Sequence, residues 1–216
     1  MLRVALAGEG GPELGLVAHA IRAGGVVVAP SDTLYGFSAR FDRPSALRRI
    51  ATIKGRGDTS PFLLLVGEVE ELAALSPAPP PVPVLDRVWP GPVTLLIPGR
   101  PGLPSRLRGP AGTVAVRRPR ERLVRALLAR VGVPIVSTSV NRHGEAPLGD
   151  PGRIAREFGA VIDVLGDAGS RESQPPSTII DLTRRPPVLV RQGAAAVDVG
   201  ELERLLRLTL APGPAE

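Results

Sequence analysis

The sequence predicts an α/β domain, because strand-like and helix-like hydrophobic segments alternate along the chain with short breaks between them. No internal repeat or heptad pattern interrupts this alternation. The chain has 216 residues, of which 43% are hydrophobic, so it has enough apolar side chains for a sizeable core. We therefore expect one domain over residues 1–210, and we expect the tail, residues 211–216, to fray.

Five segments have the apolar spacing of amphipathic helices. In the first, apolar residues recur at helical intervals from Leu16 to Ile21, and two glycines then end the helix. Pro44 occupies the first turn of the second, where the missing backbone N–H costs nothing. Lys54 falls at the end of that helix. The predicted helices span residues 13–23, 44–53, 68–75, 121–132 and 199–210.

Short apolar segments between these helices predict strands. The predicted strands span residues 26–30, 62–66, 93–97, 113–117, 133–137, 160–165, 177–182 and 186–191. The segment SPAPPPVPVL, residues 76–85, is rich in proline. Because proline has no backbone N–H and disrupts helix interiors, we expect a stiff surface connection there.

The basic character of the chain favours an anionic partner. Its formal net charge is +6, and Lys54 is the only lysine among 27 basic residues. A compositionally biased genome also produces arginine-rich chains, so charge alone assigns no function. The chain has no cysteine, and its two histidines are far apart in sequence. These features argue against disulfides and a histidine metal site, and we expect no protein-bound metal.

Several protein classes lack support in the sequence. No apolar run is long enough to cross a membrane, and the N-terminus lacks the pattern of a secretory signal, so we expect a cytoplasmic protein with no membrane contact. No Walker loop, GxSxG elbow or HExxH motif is present. This argues against P-loop enzymes, most hydrolases and metalloproteases.

Three predicted strands are flanked by clusters of small polar side chains. Ligands bind beyond the carboxyl ends of strands in open α/β sheets, so the first two clusters occupy positions suited to a site. The same residue types also cap helices and form turns without any ligand. The clusters are Ser31, Asp32, Thr33 and Tyr35; Ser137, Thr138, Ser139 and Asn141; and Ser177 with Thr178.

Cationic side chains near these clusters have two interpretations each. Thr113 and Arg117 share one face of their predicted strand, either lining a site or lying on a solvated edge strand. Arg191, at the end of the last strand, has the same ambiguity. Lys54 and Arg56 are suited to clamp a polyphosphate, although Lys54 also complements the helix dipole without a ligand.

Six segments match, in collinear order, the motifs of one protein family. They are PSDTLYGFSAR, KGRGDTSPFLLLV, VWPGPVTLLI, TVAVRRP, GVPIVSTSVNRHG and STIIDLTRRPPVLVRQGA. Five are similar to PTDTVYGLGA, KGRPxxNPLIVHV, FWPGPLTLIL, GVPLAAPSANxSG and STVVDLTGxPPxILRPGA of the YrdC family. The resemblance covers roughly residues 13–208. It implies a single YrdC-like domain with a twisted, mixed β-sheet, flanked by helices around a basic concave cavity.

The same resemblance implies an activity. YrdC-family enzymes are L-threonylcarbamoyladenylate synthases, which condense L-threonine, bicarbonate and ATP into threonylcarbamoyl-AMP and pyrophosphate. The product supplies the modification of the tRNA adenosine beside the anticodon. The expected cofactor chemistry is ATP as substrate with Mg²⁺. The expected partners are downstream tRNA threonylcarbamoyl-transfer proteins, together with tRNA or double-stranded RNA.

The resemblance also assigns site residues, of which Lys54 and Arg56 are the predicted catalytic pair. Arg117 is predicted to hold the threonine carboxylate in a bidentate pair. The predicted ATP-binding residues are Lys54, Arg56, Ser60, Thr113, Ser139, Asn141 and Arg191. The predicted L-threonine-binding residues are Thr33, Tyr35, Arg117, Ser137 and Ser177.

Three departures from the family pattern keep an alternative open. Ser60 stands where the family usually has Asn, Leu65 where many members have His, and Pro147 where Ser is common. Leu65 and Pro147 offer no side-chain hydrogen bond, and each lost bond to a charged group costs about 1.5–3 kcal/mol. The alternative is a non-catalytic RNA-binding or ribosome-assembly factor of the same fold, which uses the basic cavity for backbone contacts.

Overall fold

The computed structural model describes residues 1–32, 34–55, 61–171 and 175–210. The predicted site residues Thr33, Arg56 and Ser60 lie outside these described residues, as does the tail that is predicted to fray. Within the described ranges, ten strands form one sheet and seven α-helices pack around it.

The strands are short, and most carry the valine and isoleucine that sheets favour. They are β1 (Leu2–Ala5), β2 (Val27–Pro30), β3 (Tyr35–Arg40), β4 (Leu63–Leu65), β5 (Val93–Pro98), β6 (Thr113–Arg117), β7 (Ile135–Ser139), β8 (Val164–Asp167), β9 (Thr178–Asp181) and β10 (Val188–Arg191). Their order across the sheet is β1-β8-β2-β3-β7-β4-β6-β5-β9-β10.

Both strand orientations occur, so the predicted mixed sheet is confirmed. Parallel pairs are β1 with β8, β2 with β8, β4 with β6 and β5 with β9. The remaining pairs, including β3 with β7 and β5 with β6, are antiparallel. The strand order shows that most neighbouring strands are distant in sequence. The sheet therefore brings separate segments of the chain side by side.

The helices are α1 (Pro12–Arg22), α2 (Pro44–Lys54), α3 (Leu72–Leu75), α4 (Val82–Val88), α5 (Arg122–Val131), α6 (Pro151–Phe158) and α7 (Val199–Leu210). Helix α2 ends at Gly55, which adopts the left-handed backbone conformation with φ 61° and donates its N–H to the Thr52 carbonyl. A side chain is rarely tolerated in that conformation, so glycine fixes the end of the helix beside Lys54.

Two hydrophobic cores cover the two faces of the sheet unequally. One face packs against α2, α3, α4, α6 and α7, with Phe37 and Phe158 in an edge-to-face contact at 5.2 Å between ring centroids. The other face packs against α1 and α5. Among the described residues, this second core takes no side chain from β5, β6, β9 or β10. That half of the second face can therefore hold polar groups.

Most predicted elements are present, and the exceptions have physical causes. The prediction for residues 76–85 is wrong in its second half, because α4 begins at Val82 and accommodates Pro83 in its first turn. The predicted strand at 160–165 begins only at Val164, since Gly159–Val161 form a 3₁₀ turn. Strands β1 and β3 and helix α6 were not predicted.

Candidate functional site

The candidate site lies on the half of the second sheet face where, among the described residues, no side chain joins the core beneath α1 and α5. Arg117 pairs with Leu65 in the parallel β4–β6 ladder, and Leu65 belongs to the core beneath α1 and α5. Because paired residues face the same side and side chains alternate along a strand, Thr113 and Arg117 point to this face. Ser137 points there as well, two residues after Ile135 of the same core. The site is thus built on a sheet face rather than only along one edge.

Arg117 is a buried cation at the end of a central strand. The interpretation of its strand as a solvated edge is wrong, because β6 lies between β4 and β5 and Arg117 is only 4% exposed. Burial lowers the pKa of its guanidinium. The negative charge of Asp32 raises this pKa, and the positive charge of the nearby Arg191 lowers it further. Arg117 Nε lies 3.6 Å from Asp32 Oδ2, too far for a good hydrogen bond, and neither atom has a hydrogen-bond partner among the residues that the structure describes.

Asp32 is itself held in place by the start of α5. Its Oδ1 accepts a hydrogen bond from the Glu121 backbone N–H at 3.0 Å. The Glu121 carboxylate in turn accepts from Arg171 Nη2 at 2.5 Å. Asp32, Glu121 and Arg171 all line a cavity of about 850 Å³. A charged network therefore surrounds a space large enough for a small-molecule ligand.

A second cation, Arg191, is tied to the beginning of β9. Its Nε and Nη2 both donate to the Ser177 carbonyl, at 3.0 and 2.8 Å, and Ser177 Oγ lies 2.9 Å from Thr94 Oγ1. The backbones cross closely here: a Cβ on Gly193 would lie 2.2 Å from the Pro176 carbonyl oxygen. Glycine at 193 thus allows β10 to bring Arg191 against Ser177.

Lys54 belongs to a separate group of residues at the end of β7. Its buried ammonium donates to the Ser139 carbonyl at 2.6 Å, the Asn141 carbonyl at 3.1 Å and Asn141 Oδ1 at 2.9 Å. Ser139 Oγ also donates to Asn141 Oδ1, and Asn141 Nδ2 donates to the carbonyls of Arg142 and Glu145. The described contacts of Lys54 therefore fix the shape of a turn, and its phosphate contact stays a prediction.

Tyr35 supports the loop on one side of the cavity. Its side chain is 1% exposed, and its hydroxyl donates to the Gly169 carbonyl at 2.7 Å and accepts from the Ala168 N–H at 2.8 Å. Both hydrogen-bonding functions of the hydroxyl are therefore used by backbone. Tyr35 shapes the pocket through residues 168 and 169, and its contact with L-threonine stays a prediction.

The structure brings the predicted residues together in two groups. Arg117, Arg191 and Ser177 lie at one end of the central strands, and Lys54 with Ser139 and Asn141 lies at the other. Thr113 is at the opposite end of β6 from Arg117, and its hydroxyl donates to the Pro110 carbonyl at 3.1 Å. Ser137 lies beside Gly36, where a Cβ would come within 2.7 Å of the serine Oγ.

Sequence reasoning missed part of this site. Asp32 was recognised within a polar cluster but was given no ligand, and Thr94, Glu121 and Arg171 were not singled out. Charged residues between helices are common on protein surfaces, so the sequence carried no signal that Glu121 and Arg171 would meet Asp32 in space.

No group of three or more histidine, cysteine or acidic residues that could hold a metal occurs in the described part of the chain. Within the same ranges, no helix is long and apolar enough to span a membrane.

Comparisons with known proteins agree with the motif resemblance. The family model Sua5/YciO/YrdC, described as telomere recombination, matches residues 19–193. Threonylcarbamoyl-AMP synthase of Thiobacillus denitrificans is 37% identical over 177 residues, which are 80% of this chain and 92% of that protein. Threonylcarbamoyl-AMP synthase of Pyrococcus abyssi is 32% identical over 193 residues. The match covers 88% of this chain but only 56% of the Pyrococcus protein's length.

A similar fold occurs in a structure of Pyrococcus abyssi Sua5 complexed with L-threonine. The two chains superpose with a TM-score of 0.81 at 31% sequence identity. The match covers 95% of this chain and 60% of that one. The helices and strands described above therefore have counterparts in a protein that binds an amino acid.

The buried hydroxyl of Tyr35 should titrate at unusually high pH. Burial raises its pKa above the ordinary value of about 10, with the Ala168 N–H hydrogen bond opposing the shift. Because the unfolded chain ionises first, this contribution to stability is complete below about pH 10 and is lost as pH rises further. Tyr35 is the only tyrosine, so tyrosinate absorbance reports it alone. The same midpoint in native and urea-unfolded protein would contradict this prediction.

Replacing Lys54 by methionine should destabilise the protein by about 3 kcal/mol. The Ser139 and Asn141 carbonyls lose the ammonium as donor, and Asn141 Oδ1 keeps only its bond from Ser139 Oγ. Each buried acceptor that is left unsatisfied costs about 1–3 kcal/mol. Urea unfolding measures the change. Arg153→Met is the matched control, since Arg153 is exposed and makes an i,i+4 ion pair with Glu157. We expect a much smaller loss for the control. Equal losses for the two variants would show that the Lys54 contacts contribute little.

Proposed function

Because the chain belongs to the Sua5/YciO/YrdC family, we propose that it is a threonylcarbamoyl-AMP synthase, a nucleotidyltransferase-type enzyme. It condenses L-threonine, bicarbonate and ATP to threonylcarbamoyl-AMP and releases pyrophosphate. The observation that carries the proposal is the buried Arg117. Its Nε has no hydrogen-bond partner in the described part of the chain and lies 3.6 Å from a carboxylate that lines a cavity of about 850 Å³. The curated relatives named threonylcarbamoyl-AMP synthase favour this activity over a non-catalytic RNA-binding factor.

On the amino-acid side of the site, Arg117 binds the carboxylate of threonine. A buried guanidinium is costly without a hydrogen-bonded anion, and a carboxylate matches its planar fork with two parallel hydrogen bonds. Ser177 and Ser137 lie on the same sheet face and contribute hydroxyl groups around the substrate, together with the predicted Thr33. Tyr35 acts indirectly, by holding the backbone at Ala168 and Gly169.

On the nucleotide side, cations bind the phosphates of ATP. Arg191 lies close enough to Arg117 to affect its pKa, which makes this region attractive to anions. Arg56 and Ser60 are proposed phosphate contacts on sequence grounds. Lys54 acts by fixing the turn that carries Ser139 and Asn141, through the three hydrogen bonds of its ammonium. Thr113 completes the proposed ATP set, and Mg²⁺ arrives with the nucleotide.

The proposed chemistry depends on positioning and charge neutralisation. The threonine amine forms a bond to the carbon of bicarbonate, and the hydroxyl of bicarbonate leaves as water. An oxygen of the resulting carbamate then attacks the α-phosphorus of ATP, and the bond to pyrophosphate breaks. No side-chain nucleophile is needed, so orientation of three substrates and neutralisation of phosphate charge supply the acceleration. The product is then handed to tRNA-modifying partners, which locates the reaction in the cytoplasm.

Pyrophosphate release tests the reaction directly. Purified protein is mixed with ATP, Mg²⁺, bicarbonate and each standard amino acid in turn, and pyrophosphate is measured. We expect release with threonine and dependence on bicarbonate. Salt-dependent RNA binding without threonine-dependent pyrophosphate release would instead identify a non-catalytic RNA-binding protein.

Arg117→Lys should lower kcat/KM for threonine by about 10- to 100-fold, because a lysine keeps the charge but loses the two-pronged hydrogen bond. Arg118→Lys is the matched control. Arg118 is the next residue, but its side chain bonds to the Gly67 carbonyl and the Glu68 carboxylate. We expect near wild-type kinetics from the control. Unchanged kinetics in Arg117→Lys would remove Arg117 from the threonine site.

A further inference from the structure

We propose that Asp32 binds the α-amino group of the amino-acid substrate, so that Asp32 and Arg117 together recognise the ammonium and carboxylate that all α-amino acids share. This inference rests on the proposed function. It gives Asp32 a role in binding and orienting the substrate. Neither the motif matches nor the comparisons assign a role to this residue. The carrying observation is a pair of buried, opposite charges whose facing atoms do not satisfy each other.

Arg117 and Asp32 have the properties of a ligand-binding pair. The side chains of Arg117 and Asp32 are 5% and 9% exposed, and their facing atoms are 3.6 Å apart. Hydrogen bonds between such groups are normally 2.7–2.9 Å long, so this contact leaves Arg117 Nε and Asp32 Oδ2 unsatisfied. Buried charges that lack hydrogen bonds are costly, and a zwitterion supplies an acceptor to one and a donor to the other.

The surrounding contacts hold Asp32 in one orientation. One carboxylate oxygen, Oδ1, accepts from the Glu121 N–H, which leaves Oδ2 as the oxygen without a hydrogen-bond partner among the described residues. Glu121 is fixed from the other side by Arg171, whose backbone N–H also bonds to the Gly149 carbonyl at 3.0 Å. Arg171 Nη1 is the remaining buried polar side-chain atom without a partner among the described residues. The buried side-chain nitrogen and oxygen atoms that lack hydrogen-bond partners in these ranges therefore all belong to this network.

The position of the acceptor suits the reaction that follows. One ammonium proton goes to solvent, the amine attacks the bicarbonate carbon, and a second proton leaves with the bicarbonate hydroxyl as water. The nitrogen of the carbamate keeps its third hydrogen. Asp32 Oδ2 can therefore accept a hydrogen bond from the same nitrogen before and after carboxylation. This holds the nitrogen at one point while the new carboxylate forms on its other side.

The first test uses Asp32→Asn, which keeps an oxygen for the Glu121 N–H and replaces Oδ2 by a donor. We expect KM for threonine to rise by at least about 10-fold, because an acceptor for a charged donor becomes a repelling N–H group. The affinity for ATP, measured by calorimetry without threonine, should not fall, since Asp32 is not among the proposed nucleotide contacts and loss of its negative charge does not weaken the attraction of phosphate. A wild-type KM for threonine in this variant would overturn the inference.

Asp163→Asn is the matched control for the chemical change. The Asp163 carboxylate also accepts one backbone N–H, from Val26 at 2.7 Å, and also pairs with an arginine, Arg49. It bonds to Val26, the residue before β2, whereas Asp32 comes two residues after the end of β2. We expect this variant to lose stability without a change in KM. An equal rise in KM for both variants would show a general effect of destabilisation and would overturn the role of Asp32.

A second test needs no variant and separates this inference from the proposed function. Wild-type protein is titrated with L-threonine and with 2,3-dihydroxybutyrate of the same configuration, in which a hydroxyl replaces the ammonium. We expect the hydroxy acid to bind at least about 10-fold more weakly, because it brings no cation to Asp32. Equal binding would overturn the inference while leaving threonine-dependent pyrophosphate release intact. Absence of that release in wild type would instead overturn the proposed function.

Discussion

The buried charge of Arg117 is the constraint on which this half of the molecule depends. A guanidinium on a sheet face cannot be covered by an apolar helix, and the second core accordingly stops short of β6. Asp32 reduces the cost of burying this charge but does not form a good hydrogen bond with it. The fold therefore keeps buried charges beside a cavity, next to a densely packed sheet. An anion that enters this region replaces the water that Arg117 lost on folding.

Lysine fits the hydrogen-bonding geometry at position 54 better than arginine would. Three oxygen atoms, from Ser139 and Asn141, converge on one point within 3.1 Å of Nζ. A compact ammonium directs its three N–H groups toward such a set, whereas a planar guanidinium spreads its donors along a fork. In a chain that otherwise uses arginine for basic positions, this convergence explains the exception. It also makes Lys54 a residue that positions its neighbours whether or not it also touches phosphate.

Sequence patterns predicted the helices and strands better than they predicted which of these elements pack against one another. Alternating segments of period two and 3.6 located the four long helices and most strands, because these patterns follow from which face is buried. Strand β3 was hidden because YGFSAR is buried on both faces and has no alternation. Likewise, the period-two pattern correctly predicts that Thr113 and Arg117 share one face of their strand. No local pattern indicates whether a helix packs against that face. That depends on contacts between residues far apart in sequence.

Two arginines close together, Arg117 buried and Arg191 exposed, explain why the site needs several ligands rather than one. Burial lowers the pKa of Arg117, Asp32 raises it, and Arg191 lowers it again by repulsion. Two guanidinium groups and one carboxylate meet here, so Asp32 offsets only part of the local positive charge. The amino acid brings a carboxylate for Arg117 and an ammonium for Asp32, and therefore leaves the net charge unchanged. The positive charge that remains is available to phosphate. The arrangement thus separates recognition of the amino acid, which is neutral overall, from attraction of the nucleotide, which is not.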